Sequence, residues 1–152
     1  MNNQNAGIVF AISVSEKKGT KKHNIHEAEF MENFGIQGDA HAGNWHRQVS
    51  LLSLSSVEKM RKGAKIPINP GDFAENLTID GLDFTLLKVG VRIKIKEVSL
   101  EITQIGKECH SRCHIFETVG DCVMPREGIF GKVIKGGMVK VGDTVLIERV
   151  EK

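Results

Sequence analysis

Residues 107 to 116, KECHSRCHIF, hold two of the three cysteines and two of the six histidines of a 152-residue chain. On a helix, Cys109 and Cys113 share one face, and His110 and His114 lie about 100° round the axis, so that two like pairs stand side by side. Three chemistries use such residues. A zinc clip takes two cysteines at C-x2-4-C spacing and a second ligand pair elsewhere, which Cys122 with His41 or His46 would have to supply. An iron–sulfur run needs cysteine where Phe116 stands, and haem attachment needs two residues, not three, between its cysteines, so both fail on spacing. A nucleophilic thiol asks only for an accessible cysteine with cations near enough to favour thiolate. Cys109 has Lys107, His110 and Arg112 beside it, opposed by Glu108. The spacing leaves zinc and a reactive thiol both open, against the ordinary alternative of cysteine buried as a small hydrophobe.

The second dense stretch, GIQGDAHAGNWHRQVSLL at residues 35 to 52, carries Asp39, His41, His46 and Arg47 among Gly35, Gly38 and Gly43. Its glycine spacing is not that of a dinucleotide fingerprint, and it lacks the Gly-Lys-Ser/Thr of a phosphate loop. A glycine-rich loop can still turn backbone N–H groups and an arginine toward an anion; the plain alternative is a tight turn of solvated residues. In NPGDFAENLTIDGLD, Asp72, Glu75 and Asn76 beside glycines are expected to form turns. MPREGIFGKV adds Arg126 and Lys132, which a solvated face would also explain.

The elements that must position these residues read mainly as β. Sixteen glycines punctuate short runs rich in β-branched residues. Strands are expected over 8–14, 48–52, 73–79, 91–95, 98–105, 132–134 and 144–150. In VRIKIKEVSLEITQI the apolar residues alternate, which marks half-buried antiparallel strands with a change of partner at Glu97. VIKGGMVKVGDTVLIERV reads as strand pieces joined at Gly136-Gly137 and at Gly142-Asp143. SLSSVEKMRKGA predicts one helix, capped by Ser55 or Ser56 and stopped by Gly63; a second short helix is expected near Glu108. So many short strands are most economically closed into a β-barrel, which removes exposed edges.

The chain has the size of one domain, spanning 1–152, and shows no linker or repeat. Its formal charge of +2 comes from 21 basic and 19 acidic residues scattered in both halves, which excludes a broad nucleic-acid footprint. MNNQNAGIVF has no signal-peptide pattern, and no apolar run approaches the ~20 residues of a membrane helix, so no membrane partner is expected. An odd cysteine count fits a reducing compartment with at least one free thiol, and the expected location is cytoplasmic.

In order, GIQGDAHAG, HRQVSLLS, PGDFAENLTIDGLD, VGVRIKI, EITQIGKECHSRC, MPREGIFGKVIKGG and VKVGDTVLI resemble the MOSC domain, named after the C-terminal part of molybdenum cofactor sulfurases. The resemblance covers residues 6 to 150 and is closest to the short stand-alone bacterial members. It implies a mainly β fold with short helices, a barrel like the β-barrel domain of pyruvate kinase. It also implies binding of the molybdenum cofactor (molybdopterin) and a reactive cysteine that carries sulfur as a persulfide or ligates molybdenum, in cofactor maturation or delivery. Cys109 occupies that position, with Cys113 one turn on as a resolving thiol. Gly38, Asp39, His41, Arg47, Lys107, Arg112 and Arg126 are then expected to converge on the anionic pterin phosphate, with the loop from Gly38 to Arg47 beside Cys109. The pyridoxal-phosphate domain of the cofactor sulfurases has no counterpart here, so transferase-like sulfur transfer would draw on a separate cysteine desulfurase. The other implied partners are molybdenum-cofactor biosynthesis proteins or molybdoenzymes. A non-catalytic delivery module and a small zinc-stabilised module stand as alternatives.

Overall fold

A computed structural model describes residues 6–17, 22–63, 67–106 and 127–148. Eleven strands are described: β1 (Ala6–Val14), β2 (His23–Ile25), β3 (Glu27–Met31), β4 (Gly35–Ile36), β5 (Val49–Ser53), β6 (Leu77–Asp80), β7 (Arg92–Ile95), β8 (Val98–Ile105), β9 (Ile129–Lys135), β10 (Gly137–Lys140) and β11 (Thr144–Glu148). Helix α1 (Leu54–Gly63) follows β5, and a short 3-10 turn covers Phe84–Leu86. Around the barrel the order is β11-β7-β8-β9-β5-β6-β1, closed by β1 against β11. The described pairings of this barrel are antiparallel except β5 with β6, which run parallel and are joined through α1. β10, β3 and β4 form a second, three-stranded sheet.

Closure depends on β1 serving two partners along one edge. Ala6–Ile8 pair with Leu146–Thr144, whereas Ile12–Val14 pair with Ile25–His23 of β2. The burial of β1 changes accordingly: Ile8 and Phe10 stay exposed while Val9 and Ile12 are fully buried, and residues 11 to 15 are all covered. The expected alternation elsewhere is observed, with Ile93, Ile95, Val98, Leu100 and Ile102 pointing inward at 0% exposure. At roughly 2 kcal/mol for each such fully buried aliphatic side chain, these rows supply the main drive for closure. Lys96-Glu97 is the two-residue turn between Ile95 and Val98, and Lys96 takes φ of 56° to make it.

Three sequence expectations need correction. The strand expected over 73–79 starts only at Leu77, because residues 71 to 76 are held in a loop by the buried side chains of Glu75 and Asn76. Asn76 Oδ1 accepts from Ser50 N at 2.9 Å and its Nδ2 donates to Ser13 O at 3.0 Å, stitching β5 to β1 ahead of the parallel pair. The cap of α1 is neither Ser55 nor Ser56: Ser53 Oγ accepts from Ser56 N at 3.1 Å, satisfying one of the helix's orphan donors. β3 was not expected at all, although Glu27–Met31 alternate between exposed and buried, with Ala28 and Phe30 inside. The helix expected near Glu108 lies outside the described residues.

Candidate functional site

Asp39 opens the glycine-rich loop and is folded inward rather than toward solvent, its side chain having no exposure. Its Oδ1 accepts from Lys22 Nζ at 2.7 Å and from Ser15 N at 3.1 Å, and its Oδ2 accepts from His41 N at 3.1 Å. Burial pushes this carboxyl up, but the hydrogen bond and charge of Lys22, helped by the Ser15 amide, outweigh it and hold Asp39 below its ordinary 3.8. Asp39 therefore stays ionised and acts through the groups it holds. Lys22 is equally buried; besides Asp39 its Nζ reaches Ser15 Oγ at 3.0 Å and His41 Nδ1 at 3.0 Å. Lys22 was missed in the sequence because it sits in the run KKGTKKHN, where solvated lysine is the default. Gly38, just before the cluster, is exposed with φ of 87° and open space around its Cα.

The far end of the loop is fastened to the end of β8. Trp45 Nε1 donates to His41 O at 2.7 Å, and the His41 and Trp45 rings are parallel within 4° with centroids 6.4 Å apart. The Arg47 guanidinium carbon lies 4.7 Å from the Trp45 ring centre and 5.7 Å from that of Phe130. Its Nε is buried and finds no hydrogen-bond partner among the described residues. His46 Nε2 meets Gln104 Oε1 at 2.8 Å, and Thr103 Oγ1 donates to His46 O. Gln104 Nε2 in turn donates to Gly106 O at 2.7 Å, and Gly106 N donates to Gly128 O at 2.7 Å across to β9. One residue earlier, Glu127 accepts from Ser56 Oγ at 2.6 Å and pairs with Lys59, so α1 braces that strand's approach. Cys109, Cys113, Cys122, Lys107, Arg112 and Arg126 lie outside the described residues, in the stretch between these two anchored ends.

Behind Lys22 stands a second buried carboxyl. Glu75 Oε2 accepts from Gly71 N at 2.9 Å and Thr78 Oγ1 at 3.0 Å, and Oε1 accepts from Phe73 N at 3.2 Å. Burial pushes Glu75 up from 4.5 to about 7, the hydrogen bonds it accepts only partly opposing it. The loop it organises hands Gly71 O to Lys22 N at 2.8 Å. The two segments approach so closely there that a Cβ on Gly71, whose φ is 94°, would lie 2.6 Å from Lys22 O and 2.8 Å from Ser13 Oγ.

The structure thus joins all four loop residues singled out in the sequence: Asp39 and His41 through Lys22, and His46 and Arg47 through Trp45, whose ring meets that of His46 edge-on at 5.8 Å. What they present is donor-rich. The Arg47 cation lies against the Trp45 and Phe130 rings, and its buried Nε finds no partner among the described residues; a guanidinium so placed can bind an oxyanion such as a phosphate oxygen through its remaining N–H groups. Among the described residues, no group of three or more His, Cys, Asp or Glu is arranged to hold a metal ion. No described helix is long and apolar enough to cross a membrane.

The family model of the MOSC domain matches residues 37–146. Among solved structures, the chain is similar to the YUAD protein from Bacillus subtilis, with a TM-score of 0.78 at 19% identity, covering 96% of this chain and 97% of that one. It is also similar to YiiM from Geobacillus stearothermophilus, with a TM-score of 0.72 at 14% identity over 94% of this chain and 75% of that one. YiiM from Escherichia coli gives 0.66 at 17% identity, over 95% of this chain and 72% of that one. No curated protein matches the sequence. At these identities the structural likeness is one of fold.

Proposed function

The chain belongs to the MOSC domain family, and on that premise we propose that it binds the pterin-bound molybdenum cofactor or a precursor and offers Cys109 as metal ligand or sulfur carrier. The observation that carries this reading is the fastening of the 38–47 loop to the end of β8. His46 and Gln104 are bonded at 2.8 Å, which holds the chain at Arg47 beside the end of β8, close to where it enters the cysteine stretch. Arg47 would take a phosphate oxygen, and His41 would donate to a further acceptor on the same ligand. Lys107, Arg112 and Arg126 would complete the cationic surround from the cysteine stretch itself. Asp39 orients this set from behind, as counter-ion to Lys22.

The cofactor, when bound, supplies a soft metal centre and a dithiolene; the thiolate of Cys109 is the form able to ligate such a metal. As a carrier, the same thiolate attacks the outer sulfur of a donor's persulfide, taking that sulfur and releasing the donor's thiolate. A separate cysteine desulfurase would be the donor, in a reducing, cytoplasmic setting, and a molybdoenzyme or cofactor-biosynthesis protein the recipient.

The test is cofactor analysis after purification from a host that makes molybdopterin. Molybdenum and pterin should co-purify with the wild type, or a persulfide should map to Cys109, and Cys109→Ser should lose both while folding normally. Wild-type protein that carries neither, with stoichiometric zinc surviving dialysis instead, would replace this reading with the zinc-stabilised module.

A further inference from the structure

The outer face of the barrel over β11, β7, β8 and β9 falls into rows set by the strand register. In one row Glu148, Arg92, Glu101 and Lys132 stand side by side, and the charges alternate. Arg92 Nε donates to Glu101 Oε1 at 3.1 Å, so this row largely neutralises itself. The next row holds Leu146, Lys94, Ser99 and Lys135, with two cations and no carboxylate. Lys94 and Lys135 are exposed, and neither side chain makes a hydrogen bond or an ion pair with another described residue. Between them Ser99 is 8% exposed, and its Oγ is buried with no hydrogen-bond partner among the described residues. At the end of the row Leu146 is 47% exposed, and Ile8 on the adjoining β1 is 51% exposed. Mixed signs, as in the first row, suffice for a sheet face that only meets water. The second row departs from that pattern.

We propose that this row is a docking surface for an acidic segment of a partner protein, whose carboxylates meet Lys94 and Lys135 and whose apolar residue covers Leu146. Neighbouring strands lie about 5 Å apart, so the two lysines, two strands apart, are spaced by about 10 Å. An extended segment rises about 3.3 Å per residue, which sets the matching carboxylates about three residues apart. Lysine stems are flexible, and a carboxylate that draws them aside reaches Ser99 Oγ and supplies the acceptor that hydroxyl lacks. The flanking charges select a protein segment over other anions. Glu148 and Glu101 in the first row, and the exposed Glu97 in the turn after Lys96, would repel the closely spaced phosphates of a nucleic acid or the continuous charge of an anionic lipid surface. A segment with two carboxylates and an apolar anchor meets the cations without facing those carboxylates. A second copy of this chain set face to face would bring the same two lysines together. The surface needs no bound cofactor, so this proposal and the proposed function fail separately.

The probe is a blocked peptide with two glutamates three residues apart followed by two leucines, added at low salt to the nitrogen-15-labelled protein and followed by amide shifts. The shifts should be confined to this face, with Lys94, Ser99, Lys135 and Leu146 moving together, and added salt should weaken the binding. Lys94→Glu combined with Lys135→Glu should weaken it at least tenfold. The same charge change at Lys62 of α1 and Lys88 before β7, both outside the row, should alter it less than threefold. Should the charge-reversed pair fail to fold, Lys94→Gln with Lys135→Gln should show the same loss in smaller degree. Absent or scattered shifts at millimolar peptide, or equal binding by the peptide with glutamines in place of its glutamates, would overturn the proposal. So would shifts on this face that arise instead from self-association or from vesicles of phosphatidylcholine with phosphatidylserine.

Discussion

Glu75→Gln should remove most of the pH dependence of stability between about pH 5 and about pH 8. Glu75 is fully buried with three donors and, among the described residues, no cation, and its carboxyl is pushed up from 4.5 to about 7. Between those values the folded protein binds a proton that the unfolded chain has released, so stability falls as pH rises through the window and is level above it. At about 1.4 kcal/mol per pH unit, the gap from 4.5 to about 7 is worth about 3 kcal/mol. Glutamine does not titrate. It keeps one acceptor oxygen but turns an N–H toward a backbone donor, either Gly71 or Phe73, at a cost of roughly 1–3 kcal/mol. At high pH this loss and the relief of a buried negative charge nearly cancel, whereas at low pH the protonated wild type is ahead. Urea unfolding at the two pH values measures it, with Trp45 as probe in a chain that has one tryptophan and no tyrosine. Asp39, held below 3.8, titrates outside the window, and contributions common to both proteins cancel in the difference. Equal pH slopes for the wild type and Glu75→Gln would refute the reasoning.

Gly71→Ala should destabilise the fold by about 1–3 kcal/mol, since the new Cβ meets backbone at 2.6 Å in a left-handed conformation; the urea midpoint reads it. Asp39→Asn removes the carboxylate that pairs with the buried Lys22 ammonium and should cost roughly 3–5 kcal/mol, seen as a large fall in thermal midpoint. Cys109 should be alkylated faster at neutral pH than Cys113 or Cys122, with peptide mapping by mass spectrometry as the check, and a faster Cys113 would move the functional thiol one helical turn along. Cys122→Ser should retain any bound molybdenum or transferable sulfur that Cys109→Ser loses.

The barrel was legible because its strands obey a period of two. β8 was bounded at Val98–Ile105, and the expected 91–95 strand begins at Arg92. β3 hid for a compositional reason: Glu27, Ala28 and Glu29 have low strand propensity, and only the burial of Ala28 and Phe30 by the second sheet makes the alternation meaningful. The site was half legible. Asp39, His41 and Arg47 announce themselves by type and by their glycine neighbours, whereas Lys22 is chemically indistinguishable, in sequence, from the lysines around it. What sets it apart is tertiary: Gly71 holds its backbone and Asp39 its ammonium. Glu75 was taken for a turn former, and it does hold turn amides, but no local pattern predicts its complete burial.

The clasp of Gly106 on Gly128 has an evolutionary consequence. Because β8 and β9 pair up to that rung, Ile105 opposite Ile129, the two ends of the intervening stretch are brought together by the barrel itself. Lengthening such a bridged insertion costs only about 0.6 kcal/mol for each doubling. Mutation can therefore change the length of the cysteine-bearing segment at little cost in loop closure. A barrel that closes its own rung beneath an insertion is suited to carry segments of different length on the same frame.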